Sequence, residues 1–565
     1  MDGFRPIGLG EETSPQRADG QGASRAEPHS TGPRASRAAT TAGLLLMVAL
    51  LALALRGPSL SLSVFGSADE SAFVLAAREV VLGHLPYLTF WDHKPPGSTL
   101  LIAAAMAILG PSIEAVRALG LVCVVATAWA LYGITRRAAQ PAPSGPGLGL
   151  GQLAPVTAAL LYVAFSTRLA GGTATITETL YAPFTATGVL LLLAAPEWRR
   201  IGGPAAAFAA AGLAFGFAAW IKYVPLLPAA FTGAVALAAL FWLGGEGDRA
   251  ALGRVLGCGA FFAAGLLLPT AVSAAFYWWA GALAEFWDAN FGFMRHYSGF
   301  DDHPRGPLFY ALRCTTLALL DFWPLAAAAA AAVLLPSCLG RRLLASGWRY
   351  PGALLLAWLA GEVLALVAQG KFYMYHFLPL LPPLAVLAAL ALRAHAEALA
   401  RPGKAVAAMA VAVAFVAAGP VATHTRALAA VLSRPDVPRE IAALIAAEGR
   451  PGDDGVFVAN YEPVIYFLAG APLPTRFAFP VSLTGPHSSV IPTDARAELR
   501  RVLGERPRFV VLNTSWRDQQ AGSWEPGMMA MVEEAVARDY TPRASWTLAE
   551  QMGTVRLFVR RDALP

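Results

Sequence analysis

Five side chains able to do acid–base and phosphate chemistry fall within about thirty residues of an otherwise greasy stretch. Asp69 and Glu70 are adjacent, and Asp92, His93 and Lys94 follow in the same segment, Ser67 to Gly97. A carboxylate can take a proton from a hydroxyl. A lysine can hold a phosphate or stabilise charge on one as it departs. Ser67 and Glu70 have the spacing of a capping box, which predicts a helix starting at Ala68. Phe73, Ala76, Ala77 and Val80 give it an apolar stripe, and Gly83 a stop. Consecutive helical residues diverge by about 100°, so Asp69 and Glu70 cannot both face one target. Pro95 and Pro96 hold Lys94 in extended chain. The competing reading is structural: the two acids cap a helix and Lys94 snorkels to headgroups.

What must position these residues is a membrane bundle. The chain has 565 residues, of which 56% are hydrophobic and 14% charged, against about 25% charged in soluble domains. Its mean hydropathy is +0.52. The net charge of +6 is spread over scattered basic pairs, a pattern of topology signals that gives no footprint for nucleic acid. Cys123, Cys258, Cys314 and Cys338 share no ligand spacing and suggest neither a disulfide framework nor a zinc site.

Residues 1–38 are rich in Gly, Ser, Pro and Arg and read as a disordered cytoplasmic tail. A first span follows from about Ala39 to Leu55. The first outer loop, 57–114, then contains the acids, and its apolar run Ser98 to Leu109 is short for a crossing. If that run is re-entrant or interfacial, five basic sites fall inside: Arg136-Arg137, Arg199-Arg200, Arg249 with Arg254, Arg341-Arg342, and Arg393 with Arg401 and Lys404. If it crosses, all five fall outside, against the positive-inside rule. Further spans are expected near 115–135, 153–170, 176–195, 203–221, 223–243, 255–279, 308–333, 351–368, 377–394 and 404–422. The total of about eleven puts the C-terminal part outside. The membrane region thus runs over 39–425, with a Pro/Gly linker at Pro141 to Gly151. Residues 430–565 alternate helical and strand-like runs and read as a small α/β domain, periplasmic in a bacterium.

Other outer segments carry polar residues. Thr175, Thr177 and Glu178 open the fourth span, where Glu178 is either functional or a cap. Lys222 closes the fifth and reads as a snorkelling cation. In the loop Gly281 to Pro307, Arg295, His296 and Tyr297 could grip a phosphate. Asp301, Asp302 and His303 could bind a divalent cation, against the alternative of a solvated loop with interfacial aromatics. Lys371, Tyr373, Tyr375 and His376 form a basic, aromatic mouth or an ordinary aromatic girdle.

The acidic pair after the first span, then Gly83 with Pro86-Tyr87, then Phe90 to Pro96 (FWDHKPP), resembles the GT-C membrane glycosyltransferases. The glycosyltransferase family 39 group is the part of them it looks like: protein O-mannosyltransferases, lipid A aminoarabinose transferases and rhizobial galacturonosyltransferase-like proteins. ITETLYAPF, GLAFGFAAWIKYVPLLP, KFYMYHFLPLLPP and VIYFLAGAPLPTRF add to the likeness. The resemblance implies a GT-C fold and a polyprenyl-phosphate sugar donor. It makes Asp69 the general base with Glu70 in support and Lys94 a donor-phosphate contact, with Tyr375 and His376 at the donor mouth; the loop residues themselves add Arg295 to the phosphate contacts. Supporting places go to Asp92, His93, Glu178, Lys222 and Lys371. His376 stands where relatives often have Tyr or Arg. The implied partners are the lipid-linked donor, a lipid, glycan or protein acceptor, and membrane lipids; a divalent cation is left open. The expected activity is inverting transfer of a hexosyl or pentosyl group to a hydroxyl at the outer face of the bacterial inner membrane. The rival is a transporter or flippase for lipid-linked sugars, which calls for internal repeats and midplane polar sites; neither is evident.

Overall fold

A computed structural model describes residues 33–63, 68–139, 150–168, 171–195, 203–243, 248–294, 305–334, 349–398, 402–449, 455–519, 523–548 and 553–563. Cys338 and the loop residues Arg295 to Asp302, with His303, lie outside this set, as do 1–32 and most of the Pro/Gly linker. The chain up to Leu44 forms a unit by itself, and the body comprises Leu45–Pro565; everything below concerns the body unless stated.

The fold is that of a polytopic α-helical membrane protein. Among the described residues, nine helices are long and apolar enough to cross a bilayer. In chain order the α-helices before the C-terminal region are α1 (Pro33–Arg56), α2 (Ala68–Val81), α3 (Gly97–Leu109), α4 (Ile113–Ala138), α5 (Leu150–Phe165), α6 (Thr177–Ala194), α7 (Gly203–Ile221), α8 (Leu226–Leu243), α9 (Asp248–Trp279), α10 (Leu283–Trp287), α11 (Pro307–Leu334), α12 (Arg349–Gln369), α13 (Leu381–Glu397) and α14 (Pro402–Leu432). α5 and α8, at the expected third and sixth spans, are among the shorter apolar helices, as is α3. With 13 residues, α3 reaches about 20 Å, well under a hydrocarbon core of about 30 Å. The first helix begins at Pro33, so residues 33–38, read from sequence as disordered tail, are helical.

Small residues set the bundle's closest contact. Gly212 and Gly216 on α7 have the small-xxx-small spacing. A Cβ on Gly216 would lie 2.7 Å from the carbonyl oxygen of Gly265 on α9, and one on Gly265 would lie 2.5 Å from that of Ala209. α3 approaches α7 the same way: a Cβ on Gly97 would sit 2.5 Å from the Trp220 oxygen.

The C-terminal region is α/β. A four-stranded sheet has the order β1-β2-β4-β3, built from β1 (Val456–Val458), β2 (Phe509–Asn513), β3 (Tyr540–Thr547) and β4 (Thr554–Arg560). β1 and β2 are parallel, with Phe457 opposite Val510; β4 runs antiparallel to both β2 and β3. Helices α15 (Val437–Glu448), α16 (Val464–Leu468), α17 (Ala495–Gly504) and α18 (Pro526–Asp539) accompany the sheet. Sequence reading misses β3 because it is an exposed edge strand interrupted by Pro542, beside which the register shifts.

One side of this region's core takes in Ala72, Leu75, Ala76 and Phe90 together with Ile441, Val458, Ile465, Val511 and Leu557. α2 is therefore packed into the α/β region and buried nearly all round, not along a single stripe. It stops as expected: the His84 and Gly83 amides donate to the Glu79 and Val80 carbonyls, with Gly83 at φ +91°, a Schellman closure.

Candidate active site

The start of α2 is where the acids diverge. Glu70 is 3% exposed. One of its oxygens accepts from Arg117 Nη2 at 2.7 Å and the other from the Thr175 amide at 2.7 Å. Ser67, the other half of the expected capping box, lies outside the described residues; the partners of Glu70 come from α4 and from the turn before α6. Asp69, one position earlier and partly exposed, accepts from the Tyr375 hydroxyl at 3.1 Å. Arg117 also donates to the Ser59 carbonyl at 2.6 Å, so one guanidinium ties α4 to both ends of the segment leading into α2. Arg56 donates to the Gly172 carbonyl at 2.5 Å and the Ser166 hydroxyl at 3.1 Å.

The cations gather nearby. Lys222, at the end of α7, binds Glu178 at 2.6 Å, and Thr177 donates to the other Glu178 oxygen at 2.8 Å. Lys222 thus does not snorkel; it turns inward, and its ammonium lies 6.0 Å from the centre of the Tyr375 ring. Lys94 sits 3.6 Å from Asp92 and 4.8 Å from the centre of the Phe73 ring. The charges of Lys222, Lys94 and Lys371 all act on the buried His376 ring, whose Nδ1 is buried without a hydrogen-bond partner. The same three lysines act on His93. Burial, then Lys94, holds that imidazole well below its ordinary pKa, so it is neutral at pH 7. The His93 ring meets His487, from the C-terminal region, edge-on at 6.0 Å between centroids.

Two bulky residues beside these lysines occupy the left-handed region. Tyr87 has φ +73° and Phe372 φ +48°, each costing about 1–3 kcal/mol. Tyr87 is buried, donates to the Lys94 carbonyl at 2.8 Å and accepts from Asn290 Nδ2 at 3.1 Å. Desolvation raises its phenol pKa well above the ordinary value, so it stays a donor. The strained turn presents the backbone of Lys94, and Phe372 follows Lys371 directly.

The structure therefore brings together Asp69, Glu70, Asp92, His93, Lys94, Glu178, Lys222, Lys371, Tyr375 and His376 from distant segments. Arg295 lies outside the described residues. No three His, Cys, Asp or Glu side chains among the described residues have the arrangement of a metal site. Sequence reading overlooks Arg117, Asn290, His487 and Glu462, and takes Tyr87 only as part of a motif. Arg117 carries the one usable signal, a lone arginine opening an apolar run.

No protein-family model matches the sequence, and no curated protein does. Among solved structures the fold is similar to ArnT from Cupriavidus metallidurans bound to undecaprenyl phosphate. The TM-score is 0.60 at 16% identity, covering 94% of this chain and 99% of that one. It is also similar to the archaeal oligosaccharyltransferase AglB from Archaeoglobus fulgidus in complex with an inhibitory peptide and a dolichol-phosphate, with TM-score 0.53, 16% identity, and coverage of 94% and 75%. Across nearly its whole length, then, this chain has the GT-C glycosyltransferase fold.

Proposed function

We propose that the chain is an inverting membrane glycosyltransferase that moves a sugar from a polyprenyl-phosphate donor to an acceptor hydroxyl at the periplasmic face of a bacterial inner membrane. Asp69 takes the acceptor proton. The acceptor oxygen bonds to the anomeric carbon as the bond from that carbon to the phosphate oxygen breaks, and the pair of electrons leaves with the polyprenyl phosphate. Lys94, Lys222 and Lys371 stabilise the departing charge, and His376 Nδ1 offers a further buried contact. Arg295 belongs to the same phosphate-binding set. Glu70 supports Asp69 by fixing the start of α2. In this reading 1–38 is cytoplasmic, 39–425 the transferase body and 430–565 a periplasmic domain.

The observation that carries the proposal is the Tyr375 hydroxyl. It hydrogen-bonds the base, while its ring faces a lysine of the cationic cluster. A single side chain thus places a proton acceptor next to an anion site, as transfer from a lipid phosphate needs. A flippase needs the anion site but no base. The solved neighbours named with undecaprenyl phosphate and dolichol-phosphate support a lipid-linked donor.

The test is lipid extraction from a strain lacking this protein. Mass spectrometry should show an envelope component missing one sugar, restored by the wild-type chain and not by Asp69→Asn. Restoration by Asp69→Asn refutes the base. An unchanged envelope together with lipid-linked sugar accumulating in one leaflet favours the flippase.

A further inference from the structure

The loop after β1 reaches the first turn of α2. Ser71, two residues beyond Asp69, is buried, and its hydroxyl donates to Glu462 Oε2 at 3.0 Å. The loop is anchored on both sides. Asn460 Nδ2 donates to the Asn513 carbonyl at 2.8 Å, and the Asn513 amide returns a bond to Asn460 Oδ1 at 2.7 Å. The Thr484 hydroxyl donates to the Ala459 carbonyl. α2 is packed against the same region through Leu75, Ala76, Ile465 and Val458. Glu462 is thus held at the turn that carries the base by a rigid sheet edge.

We propose that Glu462, supplied by the C-terminal region, is a positioning residue that holds the first turn of α2 and sets the charge beside Asp69. This rests on the reading of Asp69 as the base. The charged groups facing Glu462 are Asp69 and Glu70 from α2, and Tyr461 adjoins it in the loop. Glu70 is already paired with Arg117, so the added negative charge of Glu462 bears on Asp69.

The sign can be worked out. Burial first, then the charges of Glu70 and Asp69, push the Glu462 carboxyl up to about 7, against the Ser71 hydrogen bond. Below that pH Glu462 is neutral. As pH rises through it, a second negative charge appears beside Asp69, and the repulsion between the two carboxylates is relieved when the acceptor proton is transferred. Turnover should therefore rise through pH 7 by about 3- to 10-fold. Stability moves the other way. A carboxyl whose folded pKa is raised contributes stability below its unfolded value, and this is lost as pH rises through the folded value.

The test adds purified full-length protein to unsealed membranes of the deletion strain, which supply endogenous donor and acceptor, from pH about 5.5 to about 8.5. Product is followed by mass spectrometry. The expected result is an inactive Asp69→Asn, a wild-type rise centred near 7 and no rise in Glu462→Gln. Glu462→Asp should regain the rise with a displaced midpoint. Relative to Glu462→Gln, the wild-type apparent melting temperature should fall as pH rises towards 7 and level off above it. A wild-type rise in Glu462→Gln with Asp69→Asn inactive overturns this inference and leaves the base standing. Full activity of Asp69→Asn overturns the reading beneath it. If Glu462→Gln does not accumulate, Glu462→Asp decides: a displaced midpoint supports the inference and an unmoved one overturns it.

Discussion

Replacing Glu70 separates a lock from a proton carrier. Its carboxylate and the Arg117 guanidinium are 4% and 2% exposed at their side chains and meet at 2.7 Å. Glu70→Ala leaves Arg117 buried with its bond to the Ser59 carbonyl and deprives the Thr175 amide of its acceptor. Removing one partner of a buried pair costs about 3–5 kcal/mol, enough to lower the apparent melting temperature in detergent by several degrees at fixed scan rate. Glu70→Gln keeps an acceptor for Thr175 and should lose about 2 kcal/mol. The double change Glu70→Met with Arg117→Met removes both charges and should recover most of the loss, because the penalty lies in the stranded partner. In the transfer assay Glu70→Gln should retain measurable turnover, with the rise in the pH profile moved to lower pH because one of the charges that raise the Glu462 carboxyl is gone. The reasoning fails if the double variant melts no higher than Glu70→Ala, or if Glu70→Gln melts like wild type yet abolishes transfer.

Four further outcomes follow from the same geometry. Asp69→Asn should lower transfer by about 10²–10⁴-fold while binding of undecaprenyl phosphate, measured in nanodiscs, is retained; loss of binding would place Asp69 in the anion site. Lys94→Ala and Lys371→Ala should each weaken that binding by about tenfold or more, and unchanged affinity in both removes the cluster from the donor site. Gly212→Leu should prevent accumulation of folded protein, since α7 and α9 leave no space for a side chain at that contact; normal accumulation contradicts the packing. His93 is held below its unfolded pKa, so between the two values only the unfolded chain takes up the proton. Relative to His93→Asn, wild type should lose apparent stability as pH drops below about 6.5; identical pH slopes for both proteins count against a buried neutral imidazole.

The helices of the bundle were legible from hydropathy, and the turn at Gly83 from its residue type. The partnerships were not. Lys222 at the end of an apolar run has the sequence signature of a snorkelling side chain, and nothing local shows that Glu178, 44 positions away, turns it inward. Glu70 has the spacing of a capping residue, and nothing local shows that its two oxygens go to Arg117 and to the Thr175 amide. The short strand β1 lies on a run, Val456 to Val458, that is wholly apolar in the sequence and buried in the fold. β3 hid behind its proline and polar face. Glu462 had no signal at all: its significance comes from Ser71, 391 positions away in the chain.

These partnerships share a logic that bears on how the site works. Neighbouring residues on a helix point about 100° apart, so Asp69 and Glu70 cannot both serve the same pocket. The fold spends Glu70 on Arg117 and Thr175, which joins the starts of α2, α4 and α6 into one frame, and turns Asp69 toward Tyr375. Glu178 draws Lys222 inward in the same way and sets its ammonium against the same tyrosine ring. Helix starts are suited to this because their unpaired amides and positive dipole ends favour carboxylates without added cations. A buried frame that is internally neutral costs less to desolvate than scattered charges. It also leaves the strained residues Tyr87 and Phe372 to be supported by packing rather than by the donor. If these lysines form the proposed anion site, it is organised before any lipid phosphate arrives. Variants that break the frame should therefore lower turnover even where Asp69 and the lysines are intact.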